Sequence, residues 1–166
     1  MISTQYDEVI KGAAAEWLPD VPWQWCKAEW LAESGLNPNI TNPKSGAQGI
    51  CQFMPATFRE CAYALGIPAT VSAFEPISAL KCGAYYLRRM WDQWHSPRPF
   101  LDRLQLTQAT YDAGIKNMAR AQKVAGGALD YDSIIAALPT VTGAANADET
   151  ANYVRKIAAF HVELTA

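Results

Sequence analysis

The clearest apolar periods in this chain repeat at three and four residues, and each such segment is fenced by proline, glycine or a side chain able to cap a helix. Alternating apolar and polar runs, the mark of a half-buried strand, are scarce. The pattern predicts an all-α domain of about seven or eight helices. Asp20-Val21-Pro22 reads as a cap with proline in the first turn, opening a helix through Trp23, Cys26 and Trp30 that Gly35 closes. Pro55 starts a second through Phe58, Cys61, Ala62 and Leu65, ended by Gly66-Ile67-Pro68, and a longer one runs from about Pro76 to Trp94. Further helices are expected from about Leu101 to Asp112, stopped by Gly114, and from Lys116 to Val124, stopped by Gly126-Gly127. Tyr131 to Leu138 offers another turn or two. Asp148 is read as the cap of a last amphipathic helix with Tyr153, Ile157, Phe160 and Leu164 on one stripe.

A chain of 166 residues is long enough for one well-filled core and short for two, so residues 1–166 are expected to form a single domain. Fourteen basic against sixteen acidic side chains leave a net charge of -2, and no basic run is present that would neutralise a row of phosphates, so nucleic acid is not an expected partner. No stretch approaches the roughly eighteen uninterrupted apolar residues of a membrane span. The first residues carry Asp7 and Glu8 where an export signal would carry positive charge, so no signal peptide is expected. Cys26, Cys51, Cys61 and Cys82 are scattered without C-x-x-C spacing, which argues against a metal site and for reduced, buried thiols. His95 and His161 have no second ligand at useful spacing and are read as structural, as are most of the six tryptophans.

Two features stand out against this background. Gly35 to Gly49, rich in Asn, Pro, Ser and Gly, is a long irregular segment, and loops of that length inside a compact domain tend to be functional. Directly before it, Glu33 falls at the edge of the Trp23, Cys26 and Trp30 face, in the last turn of its helix. Exposed carbonyls make that end partially negative, and neighbouring tryptophan withdraws water; both effects raise the proton affinity of a carboxylate. A glutamic acid held protonated near neutral pH is what a general acid for a glycosidic oxygen requires. The plain alternative is that Glu33 points to water as most glutamates do, with Glu29 one turn earlier facing a similar direction. Periodicity does not choose between the two.

Ala32-Glu33-Ser34-Gly35-Leu36-Asn37-Pro38 followed by Gly46-Ala47-Gln48-Gly49-Ile50-Cys51-Gln52-Phe53-Met54-Pro55 resembles the signature of the soluble lytic transglycosylase catalytic domain, a lysozyme-like glycoside hydrolase family. Ala109-Thr110-Tyr111-Asp112-Ala113-Gly114 resembles that family's Ala-x-Tyr-Asn-Ala-Gly motif, and Glu149-Thr150-Ala151-Asn152-Tyr153-Val154 its Glu-Thr-x-x-Tyr-Val motif. The resemblance spans residues 23–153. It implies a lysozyme-like helical fold with a long irregular loop after the catalytic helix, Glu33 as the acid/base, and a sugar-binding groove carrying Ser34, Gln52, Met54, Tyr111, Glu149 and Tyr153. It implies neither cofactor nor metal. The segment Asn42-Pro43-Lys44-Ser45 is one residue longer than in many members, so either Asn42 or Ser45 takes the place of the family serine. Asp112 stands where the family has asparagine.

A glycosidase of the usual kind needs a second carboxylate, yet no Asp or Glu occurs between Glu33 and Glu60. The resemblance implies a lytic transglycosylase that cleaves the β-1,4 bond between N-acetylmuramic acid and N-acetylglucosamine in peptidoglycan and leaves 1,6-anhydromuramic ends. One alternative is a hydrolase, a goose-type lysozyme-like muramidase in which Asp112 or Glu149 directs a water. Another is a non-catalytic glycan-binding or virion structural protein. A wall-cleaving domain without a signal peptide suggests a monomer made in the cytoplasm and delivered to the periplasmic wall by a bacteriophage virion or lysis system, the alternative being a bacterial enzyme exported with a partner.

Overall fold

The computed structural model describes residues 1–166, and its regular structure is entirely helical. In chain order the helices are α1 (Asp7–Trp17), α2 (Trp23–Ser34), α3 (Pro55–Ala64), α4 (Pro76–Gln93), α5 (Phe100–Ala113), α6 (Ile115–Val124), α7 (Tyr131–Ala137), the single turn α8 (Pro139–Thr142) and α9 (Ala144–Thr165). Extended backbone is limited to isolated bridges, Thr41 with Gln48 and Gln48 with Phe53. The all-α expectation holds, with eight helices longer than one turn. No helix is long and apolar enough to cross a membrane.

Contacts divide the chain into two compact units. The first comprises residues 1–86 and 157–166. Its centre is α2, whose residues 26–32 are all buried, so this helix is enclosed on every side rather than along one stripe. Trp30 is 1% exposed and packs so closely on α4 that a Cβ added at Gly83 would lie 2.8 Å from its ring and 2.9 Å from Cys51 Sγ. Glycine is what lets the two helices meet there. Phe53 packs against Phe58 and Tyr86, Trp17 of α1 meets Tyr85 edge-on, and Trp25 stacks on His161 of α9 with ring centroids 3.6 Å apart. Each fully buried Ile, Leu or Phe contributes roughly 1.5–3 kcal/mol. Between α1 and α2, Lys27 is 2% exposed and donates to Asp7 at 2.6 Å, which compensates an otherwise prohibitive buried ammonium. All four cysteines are buried and free, in keeping with the reduced thiols read from the sequence.

The second unit comprises residues 87–156. Its core gathers Trp94, Leu106, Ala109, Met118, Ile134, Leu138 and Val154. Some polar groups inside it are paired: Trp94 Nε1 donates to Thr110 Oγ1 at 2.9 Å, and Arg103 clasps the Trp91 carbonyl while its guanidinium lies 4.1 Å over the Trp91 ring, whereas Gln93 Oε1 and Gln108 Nε2 are buried without a hydrogen-bond partner. Asp130 caps α7 by accepting from the Ser133 amide, and its pKa is lowered by the Ser133 hydroxyl first and by that amide second. Asp102 accepts the Tyr131 amide at 2.8 Å and so ties α5 to the same helix start.

Element ends follow the expected punctuation at α3, α4, α5 and α6 and depart from it at three places. Pro22, not Asp20, occupies the cap position of α2, and no side chain caps that end. α9 begins at Ala144, so Asp148 lies inside it; Gly143, at φ 86°, makes the turn out of α8. Helix α1, which Pro19 follows directly after its C-cap Leu18, is an element the sequence reading did not draw, and its core face is Ile10, Ala13 and Ala14.

Candidate active site

Gly35 ends α2 in the left-handed region at φ 64°, its amide donating to the Leu31 carbonyl, and Leu36 repeats that conformation at φ 63°. Two consecutive left-handed residues turn the chain sharply back, leaving Glu33 half-buried in the last helical turn. The returning loop is closed on itself by main-chain hydrogen bonds: Asn42 with Ala47, Gly49 with Ile40, and a reciprocal pair between Gln48 and Phe53. Gly49, at φ 76°, has no substitute, since a Cβ there would lie 2.0 Å from the Ala73 carbonyl oxygen. Gln52 is a second left-handed residue with a side chain, at φ 50°, so with Leu36 this short wall holds two conformations that each cost roughly 1–2 kcal/mol.

Six of the residues singled out in the sequence lie on α2 or this wall. Ser34 Oγ donates to the Ile50 carbonyl at 2.7 Å and reaches the Trp30 carbonyl at 3.3 Å, fastening the helix end to the loop. Asn42 Oδ1 accepts the amides of Lys44 and Ser45, and Ser45 Oγ accepts the Ala47 amide, so both shape the turn. Gln52 Nε2 donates to the Gly49 carbonyl at 2.9 Å. Met54 is 47% exposed at the start of α3. Behind them Cys51 is fully buried, its thiol donating to the Ala79 carbonyl. Burial raises the Cys51 pKa well above its ordinary value, and the next largest cause is the Glu33 carboxylate. Glu33 is thus close enough to Cys51, behind the wall, for its charge to act there.

The remaining candidates lie in the second unit. Asp112, next to last in α5, accepts a hydrogen bond from the Thr150 hydroxyl at 2.5 Å, and Thr150 is 2% exposed. Although Asp112 as a residue is exposed, its carboxylate is desolvated enough to raise the pKa; the Thr150 hydroxyl opposes that shift, and the neighbouring Glu149 charge adds to it. Glu149 is exposed, and Tyr111 is half-buried. Tyr153, also half-buried, packs on the core of this unit.

Three further residues escaped the sequence reading. Lys27 and Glu29, 2% and 3% exposed, sit on the faces of α2 that its periodicity assigned to solvent. Glu29 adds negative charge beside Cys26 and Cys51, one turn behind Glu33. Thr150 is the third, and its signal was present in the Glu-Thr-x-x-Tyr-Val stretch.

Comparison with known proteins identifies a family for the chain. The Transglycosylase SLT domain model matches residues 12–134. No curated protein sequence matches significantly. Among solved structures, the 70-kDa soluble lytic transglycosylase from Escherichia coli superposes with TM-score 0.72 at 22% identity over 96% of this chain. The same kind of enzyme in complex with bulgecin A gives 0.75 at 23% over 96%, and an inactive glutamate-to-glutamine mutant of lytic transglycosylase Slt from Pseudomonas aeruginosa gives 0.75 at 23% over 97%. The chain spans 24% of the length of each, and at that identity the likeness is one of fold. With about three quarters of its length matched by the family model, the chain belongs to the Transglycosylase SLT domain family.

Proposed function

We infer that this domain cuts bacterial peptidoglycan as a lytic transglycosylase, breaking the β-1,4 bond between N-acetylmuramic acid and N-acetylglucosamine with Glu33 as its only acid/base. The observation that carries the reading is one half-buried carboxylate at a helix C-terminus, directly before a loop wall that has no second carboxylate. The solved neighbours named above are lytic transglycosylases, and one of them was inactivated by changing a single glutamate to glutamine.

In the first step the Glu33 carboxylic acid gives its proton to the bridging oxygen, and the bond from that oxygen to C1 of the muramic ring breaks. The acetamido oxygen of the same ring stabilises the positive charge left at C1. In the second step the Glu33 carboxylate removes the C6 hydroxyl proton as C6 oxygen bonds to C1, which closes a 1,6-anhydro ring and restores the acid. No water is consumed. Ser34, Gln52 and the strained turn at Leu36 hold the wall in register with the acid.

Replacing Glu33 by Gln keeps the shape and removes the proton. The expected result is a loss of about 10²–10⁴-fold in glycan cleavage with an unchanged circular dichroism spectrum. Undiminished clearing of exposed Gram-negative cells by Glu33→Gln would move the catalytic role elsewhere.

One observation favours a second reading. The raised proton affinity of Asp112 beside Glu149 is what a base for water would have in a hydrolase. In that case the products would carry ordinary reducing ends, and Asp112→Asn would abolish them.

A further inference from the structure

Helix α6 and the turn after it differ in charge from the rest of this acidic chain. From Ile115 to Leu129 there is no Asp or Glu, while Lys116, Arg120 and Lys123 recur at helical spacing on one face. All three are exposed, and none takes part in an ion pair. The far end of this stripe opens into a groove of about 540 Å³ lined by Ala119, Arg120, Gln122, Lys123, Gly126 and Gly127.

The floor of the groove is main chain. Gly126 and Gly127, at φ 69° and 80°, make the turn out of α6, and a Cβ at either would project into open space. Their amides are used, donating to the Lys123 and Gln122 carbonyls, whereas their own carbonyls accept no hydrogen bond within the protein. Because those bonds and the one from Ala125 to Ala121 occupy carbonyls of the last turn, the negative end of the helix is largely satisfied and the two cations set the local field. The groove thus offers cations for carboxylates and free carbonyls for N–H donors. A peptide with free carboxylates has both complements; a polyphosphate has only the first.

Building on the function proposed above, we propose that this groove binds the acidic stem peptide attached to the glycan being cut. Asp112 lies three residues before α6 and the groove at its other end, about 15 Å away along ten helical residues. A stem peptide of four or five residues, at about 3.3–3.6 Å each when extended, spans that distance. Lys116 lies between, one helical turn before Arg120. The stripe is a track for carboxylates leading away from the motif that carries Asp112.

The test is a titration of the ¹⁵N-labelled protein with a soluble stem tetrapeptide. Its amide shifts are expected at Gly126 and Gly127, to vanish when the peptide carboxylates are amidated, to weaken with salt, and to be lost in R120E/K123E. In cleavage assays that double variant is expected to raise KM about tenfold on peptide-bearing sacculi and to match the parent on strands stripped of peptide by an amidase. No shift at the two glycines, equal shifts with the amidated peptide, or shifts from polyglycerol phosphate and none from the peptide would overturn the proposal, as would equal losses on both substrates. Should the parent release no anhydro ends from either substrate, the cleavage reading fails while the titration still decides the groove.

Discussion

At Asp112 three influences compete, and their balance leaves the folded site holding its proton more tightly than the unfolded chain does: desolvation raises the pKa, the Thr150 hydroxyl lowers it, and Glu149 raises it again. The stability consequence has a definite sign. In strong acid both states are protonated and the residue costs nothing. As pH climbs through the ordinary aspartate range, the unfolded chain ionises first, so stability falls until the folded carboxyl ionises too. Asp112→Asn removes this penalty and keeps an acceptor for Thr150. The variant is expected to unfold at higher urea than the parent at pH 7, with the difference closing towards pH 3; a constant difference across that range would contradict the pairing. Residue by residue, local pattern left Glu33 undecided between a buried and a solvent-facing carboxylate, and only the motif resemblance singled it out; the structure leaves it half-buried in the last turn of α2. Lys27 and Glu29 were not legible, because periodicity assigns charged side chains to solvent, and the Lys27 partner lies twenty residues upstream on another helix.

Among the elements, α2 does most to fix the candidate site, and it is held from α1 by the buried pair of Lys27 and Asp7. Removing one partner strands a charge. Asp7→Ala is expected to cost about 3–5 kcal/mol in urea denaturation, whereas Lys27→Met, which fills the same space without a charge, stays within about 1–2 kcal/mol of the parent when combined with Asp7→Ala. Equal losses in the single and double variants would show the pair to be idle. Helix bounds set by proline and glycine were read well, since those residues act through their own backbone. Helix α1 was missed because its core face is mostly alanine, too small to raise a periodic signal, and Asp148 was misread because a capping residue type also occurs inside helices.

On the scale of the whole molecule, the scattered cysteines turn out to share one unit. Burial pushes the thiols of Cys26 and Cys82 up to about 12 and that of Cys51 well above its ordinary value. Native protein at pH 8 is therefore expected to leave Ellman's reagent unreacted and to release four thiols in urea with the loss of helical circular dichroism. Rapid reaction before unfolding would mean that this core opens. Apolar periodicity had foretold a helical chain, but the joining of distant segments into two units depends on contacts such as Trp30 with Gly83 and Trp25 with His161, which local pattern cannot encode.

The account rests on Glu33 serving both proton transfers. Its most direct test is mass spectrometry of the fragments released from purified sacculi in ¹⁸O-labelled water. Ends lighter than a reducing sugar by one water, and free of label, are the predicted result; full-weight reducing ends carrying ¹⁸O would contradict it.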